Sequence, residues 1–250
     1  MSDEINFNVL TSRGLPSPVA PGVRGPARGD RYGNQVVIPG LKWRQQAADE
    51  GTYFWAHNTT NDASTTLAGH PAPVLVDADA TMTKPFIHCR STLGITDTKR
   101  HYLDFIEIEV ITAGANGTAD SWAAQLDTGA TRVTTAGTAL TVINPNMQST
   151  ATSALAVQGG VVVTGAESAN VRDLGFGQFR PSIAVAGDKY LFLFGDDPFG
   201  GAGATATINR HVVNLPGVVL GPTDQFLLAL YSPSQSAAGV YKVRMGWMER

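Results

Sequence analysis

Apolar and polar residues alternate most regularly near the end of the chain. In residues 240–248, Tyr241, Val243, Met245 and Trp247 alternate with Val240, Lys242, Arg244, Gly246 and Met248. That period of two is the mark of a half-buried strand. A strand must pair with another segment, so this stretch is expected to be built into a sheet and not to hang free. Two apolar runs precede it, residues 218–220 and 226–231, separated by the turn chemistry of Gly221-Pro222-Thr223-Asp224. Ser232 to Gly239 then reads as a loop joining two core strands, not as a catalytic serine cluster.

Strand signals continue upstream. They fall at residues 52–57, 85–90, 100–113, 122–128, 138–143, 155–164, 171–179, 182–185, 190–194 and 205–213. The strongest is 100–113, where Asp104, Glu107 and Glu109 are interleaved with Leu103, Phe105, Ile106, Ile108 and Val110; one face of it is expected to be wet. Asn116-Gly117 marks a tight turn, and Gly159-Gly160 a bend or bulge. The one helical candidate is residues 42–50, stopped by Gly51. About a dozen short, evenly spaced strands without an internal repeat predict an all-β fold, an antiparallel β-sandwich. The long connection 58–84 favours a jelly-roll-like order.

Residues 1–40 differ from the rest. Pro16, Pro18, Pro21, Gly22, Gly25 and Pro26 punctuate them without any period. They are expected to form an extended N-terminal arm that needs another surface to lie on, and residues 41–250 a single sandwich domain.

Composition narrows the functional classes. Hydrophobic residues make up 43% of the chain, enough for a large core. Charged residues are only 16%, against the usual figure of about 25%, which favours contact with other proteins over a freely diffusing surface. The net charge is −3 and no basic patch stands out, so no direct nucleic-acid partner is expected. The one cysteine, Cys89, permits no intramolecular disulfide and fits synthesis in a reducing compartment. The first ten residues carry no secretory-signal pattern, and no apolar run reaches the roughly 18 residues of a membrane span.

The motifs that might carry chemistry are thin. Asp127-Thr128-Gly129 matches the aspartic-protease tripeptide, but it occurs once and a dyad needs two; a strand end running into a turn is the favoured reading. His57, His70, His88, His101 and His211 lack metal-ligand spacing, and the adjacent His88 and Cys89 would face opposite sides of a strand. Asp77-Ala78-Asp79 and Asp196-Asp197 lack the spacing of a calcium loop. Arg28-Gly29-Asp30 is an integrin tripeptide by chance, and Asn58-Thr59-Thr60 and Asn116-Gly117-Thr118 are glycosylation patterns without secretion. Gly175-Phe176-Gly177 is too short for a phosphate loop. Trp43, Trp55, Trp122 and Trp247 are dispersed, which favours core or interface packing over a sugar-binding groove. No catalytic, cofactor-binding or metal-binding residue is assigned, no cofactor is expected, and the chain reads as a non-enzyme.

Three stretches carry a resemblance. They are Gly29-Asp30-Arg31-Tyr32-Gly33-Asn34-Gln35-Val36-Val37 leading to Glu50-Gly51-Thr52-Tyr53-Phe54-Trp55-Ala56-His57-Asn58; Asn144-Pro145-Asn146 with Asp188-Lys189-Tyr190; and Val218-Val219-Leu220-Gly221-Pro222 with residues 232–238 and Gly246-Trp247-Met248-Glu249-Arg250. Together they resemble a family of virion structural proteins of tailed bacteriophages. The resemblance implies a sandwich or jelly-roll protein of the phage head, a decoration or cement protein working as a homotrimer on the capsid exterior. Its implied partners are the major capsid protein and neighbouring subunits, gripped through residues 1–40, with no membrane contact. A tail- or fibre-associated module that binds glycan is the alternative. The resemblance brings no functional residues with it.

Overall fold

The computed structural model describes residues 43–58, 82, 84–128, 133–135, 137–163, 165–195, 210–237 and 239–250. The arm, His70, the Asp77-Ala78-Asp79 and Asp196-Asp197 pairs and Arg28-Gly29-Asp30 lie outside them. One short helix, α1 (Trp43–Asp49), is followed by β1 (Tyr53–His57), β2 (Ile87–Ser91), β3 (His101–Thr112), β4 (Asp120–Thr128) and β5 (Val133–Thr135). Then come β6 (Thr138–Ala139), β7 (Thr141–Ile143), β8 (Leu155–Gly159), β9 (Val162–Val163) and β10 (Arg172–Arg180). The set closes with β11 (Lys189–Phe194), β12 (Arg210–Leu215), β13 (Val219–Leu220), β14 (Asp224–Tyr231) and β15 (Val240–Glu249).

Helix α1 stops where its sequence says it should. Gly51 takes φ 70°, a conformation open to residues without a Cβ. Thr52 N then reaches Ala47 O at 2.8 Å and Gly51 N reaches Ala48 O at 3.0 Å, the paired bonds of a Schellman end.

The strands form two main sheets. The larger is seven-stranded, ordered β12-β11-β3-β15-β1-β7, with β13 also paired to β3; the second is six-stranded, ordered β10-β4-β14-β2-β8-β6. Their inner faces meet in one apolar cluster drawn from both. Trp122 meets Phe192 edge-on at 5.5 Å, Phe194 meets Phe226 at 5.4 Å, and Phe86 meets Tyr241 at 5.2 Å. Tyr241, Val243, Met245 and Trp247 of β15 all point into this core, as their alternation predicts. The chain is an all-β sandwich.

Several local features differ from the sequence reading. β11 and β12 pair in parallel, so the sandwich is not wholly antiparallel. Residues 138–143 are not one strand: Leu140 turns into the core, β6 joins the six-stranded sheet and β7 the seven-stranded one. Residues 182–185 form no strand, because the Asp188 carboxylate takes Val185 N at 2.7 Å and rounds the segment into a turn. The bend at Gly159-Gly160 is real, with Gly160 at φ 71°. It takes the chain out of the six-stranded sheet into β9, which pairs with β5 as a small separate ribbon that periodicity did not flag. Val161, Val163 and Met82 pack there on the outward-turned Leu227, so part of the outer face of that sheet is dry. No described helix is long and apolar enough to cross a membrane.

Candidate functional site

On the outer face of the seven-stranded sheet, strand register lines up a row of apolar side chains. Ile143 of β7 lies opposite Trp55 of β1, Trp55 opposite Gly246 of β15, Gly246 opposite Phe105 of β3, and Phe105 opposite Leu193 of β11. Gly246 is the position that lets the row close. A Cβ there would stand 2.3 Å from the Tyr53 hydroxyl and 2.7 Å from the Phe105 ring, so only glycine permits both aromatics over β15. Trp55 and Phe105 then meet edge to face at 5.3 Å, a favoured aromatic geometry.

A polar anchor holds one wall. Arg44 of α1 grips the Asp104 carboxylate with Nε and Nη2, both at 2.6 Å, and the Tyr53 hydroxyl donates to the same carboxylate at 2.6 Å. Burial, then the neighbouring Asp104, push the Tyr53 phenol well above its ordinary range. Asp104 is 6% exposed, so it does not share the wet face with Glu107 and Glu109. The β3–β15 register shifts between Leu103 and Phe105, and that irregularity turns Asp104 toward Arg44. The Arg44 guanidinium also lies 5.9 Å over the Phe105 ring.

The outcome is a groove of about 410 Å³, lined mainly by apolar groups including Tyr53, Trp55, Phe105, Pro145, Leu191 and Leu193. Its rim carries Arg44, Glu107 and Arg210. Beside it runs a charged row in which Arg244 pairs with Glu107 at 2.6 Å and Lys189 with Glu109 at 3.7 Å. An aromatic, largely apolar groove with a charged margin suits an extended peptide or a small apolar ligand better than a reacting group. The dispersed tryptophans of the sequence thus have distinct fates. Trp247 and Trp122 belong to the core, Trp55 lines the groove, and Trp43 opens α1.

Asp127, His88 and His211 are tied into the fold. Asp127 is 2% exposed; its Oδ1 accepts from Thr128 N at 2.7 Å and from Ser168 N at 3.3 Å, which fixes a strand end to a loop. Asp127 also lines a second, more polar hollow of about 400 Å³, together with Thr128, Asn170, Arg172 and Asp224. His88 Nε2 lies 2.9 Å from Gln225 Oε1. His211 sits among the rings of Phe179 and Tyr190, and burial lowers its pKa. His57 lies opposite Arg244 and Thr141, away from the other histidines in register. The Asn58 side chain bridges Tyr241 O and Val243 N of β15, a structural use of that asparagine. Asn116 takes φ 61° at its expected turn. Among the described residues, no group of three or more His, Cys, Asp or Glu side chains is placed to hold a metal ion.

The tertiary structure also assembles a set that no sequence motif announced. Ser91 Oγ lies 3.1 Å from His101 Nε2, and His101 Nδ1 lies 3.3 Å from Glu249 Oε1. The order serine–histidine–carboxylate is that of a hydrolase triad. Here Ser91 is 3%, His101 0% and Glu249 6% exposed, and the His101–Glu249 contact is near without hydrogen-bond alignment. Glu249 also accepts from Ala154 N at 3.1 Å, from Trp247 Nε1 at 3.3 Å and from the Ser153 hydroxyl. Burial would raise its pKa, but His101 and the hydrogen bonds from Ser153 and Trp247 hold it below its ordinary value. The set ties β2, β3 and β15 together beneath the surface.

No protein-family model, curated protein or solved structure matches this chain.

Proposed function

We propose that the chain is a non-enzymatic virion structural protein, a decoration or cement protein on the head of a tailed bacteriophage that stabilises the capsid through contacts between subunits. The observation that carries this reading is where the protein turns its polar and apolar groups. Side chains with chemical potential, Asp127 and the Ser91–His101–Glu249 set, are internal struts. What faces outward is an aromatic, apolar groove suited to protein contact. The resemblance of residues 29–250 to phage virion proteins points the same way. A protein that binds only the assembled shell stabilises it by mass action, by about 2.7 kcal/mol at a hundredfold excess over Kd. A homotrimer would match a local three-fold of a shell, and residues 1–40 are the segment proposed to grip the major capsid protein and neighbouring copies.

The test compares capsid binding by the full chain and by residues 41–250. Both sheets and the core cluster lie within Arg44–Arg250, so the shortened protein retains its core. Loss of capsid binding by the shortened form is expected, and undiminished binding would sink the reading. The groove favours one second reading, a tail- or fibre-associated glycan-binding module, because Trp55 and Phe105 form the aromatic cluster such a module requires. A glycan array with hits abolished by Trp55→Ala would support it over the first.

A further inference from the structure

The groove and the sequence ahead of α1 have matching chemistry. Pro18-Val19-Ala20-Pro21 has prolines three residues apart, Leu15-Pro16 precedes it, and Arg13 and Arg24 flank it. A polyproline II helix has three residues per turn, so Pro18 and Pro21 fall on one edge. Such edges dock in aromatic grooves, because the helix is already formed and loses little entropy on binding. The groove offers the rings of Tyr53, Trp55 and Phe105 together with Pro145; its rim carries the Glu107 carboxylate, and of the two rim arginines, Arg44 and Arg210, Arg44 is already paired with Asp104. Glu107 is held by Arg244, whose side chain is 53% exposed, so an incoming guanidinium would join an open ion pair.

We propose that the groove of one copy receives residues 13–24 of a neighbouring copy as a polyproline II ligand. The inference rests on the reading of residues 1–40 as the segment that grips neighbours, and it names the surface gripped. The 18 residues from Gly25 to Lys42 would span about 55 Å if extended. The arm would then exchange between subunits and tie an assembly together. Aromatic burial would supply the contact energy.

The experiment uses the full chain with the photoreactive amino acid p-benzoylphenylalanine at position 105, and separately at position 193 in case the first variant misfolds. Unlabelled and ¹⁵N-labelled chains are mixed, irradiated and digested. Crosslinks joining the groove of one isotopic chain to residues 13–24 of the other are expected. Their yield should fall about tenfold or more in Pro18→Ala/Pro21→Ala, the change that a loss of roughly 1.4 kcal/mol produces. Crosslinks confined to one chain, crosslinks only to residues 196–209, or none to the arm would overturn the proposal. Its fate is separable from that of the capsid reading. Arm crosslinks with undiminished capsid binding by residues 41–250 would leave the groove assignment standing alone. Lost capsid binding without arm crosslinks would do the reverse.

Discussion

The Asp120→Asn substitution probes a carboxyl group that the fold holds in an unfavourable place. Asp120 opens β4 and is 3% exposed. It accepts a hydrogen bond from the Tyr190 hydroxyl, and Asp188, itself clamped by Arg180 Nη1 at 2.5 Å, stands close enough to repel it. Burial first, and the Asp188 charge after it, push the Asp120 carboxyl from 3.8 up to about 6, against the opposing pull of Tyr190 and Arg180. The folded state therefore binds the proton more tightly than the unfolded chain. Stability from this group is greatest below about pH 4 and falls as pH rises through 4 to 6; the full penalty of the buried charge persists above that. At about 1.4 kcal/mol per pH unit, the gap amounts to roughly 3 kcal/mol. Asparagine keeps an acceptor for Tyr190 and carries no charge. Urea unfolding at pH 5 and pH 8 should show Asp120→Asn gaining on the parent protein toward high pH by about 1.4 kcal/mol, roughly half of the full gap, because the rest of the titration lies below pH 5. His211 titrates with the opposite sign, its lowered pKa making stability rise with pH, so His211→Gln is run alongside to remove that contribution. Tyr190 and Tyr241 are pushed upward and stay protonated throughout. Equal pH slopes for the parent and Asp120→Asn would refute the reasoning.

Other substitutions test other parts of the structure. Asp104→Ala leaves the Tyr53 hydroxyl and the Arg44 fork without their shared acceptor, and equilibrium unfolding should register a loss of about 2–3 kcal/mol. Gly246→Ala drives a methyl into Tyr53 and Phe105; a cost of about 1–3 kcal/mol and an altered Trp55 emission are expected, and an unchanged protein would contradict the close approach. Ser91→Ala should leave turnover of fluorogenic esters at the buffer rate in both forms, because Ser91 is sealed. Ester hydrolysis by the parent that disappears in Ser91→Ala would reassign the Ser91–His101–Glu249 set to catalysis.

The sequence by itself determined the layered architecture. Alternation placed β3 and β15 and told which side of β15 is dry, since a strand with one apolar face must bury it, while a continuous apolar run placed β14. Gly51 and Gly160 marked the end of α1 and the exit from β8, because those backbones turn through conformations that side chains oppose. Local pattern carries no information about which strands become neighbours. Only the tertiary structure decided that β11 and β12 run parallel, that Leu140 divides an apparent strand between two sheets, and that a shifted register buries Asp104. The groove belongs to the same category. Ile143, Trp55, Gly246, Phe105 and Leu193 come from five strands scattered over about 190 positions, and cross-strand register alone sets them in a row. The Ser91–His101–Glu249 set was equally invisible: strand pairing joins His101 to Glu249, and the packing of one sheet on the other brings Ser91 to them. Near the chain's end, alternation showed that Tyr241 to Trp247 face the core. Long-range pairing made β15 the strand between β3 and β1 and set its one small residue, Gly246, beneath the aromatic row.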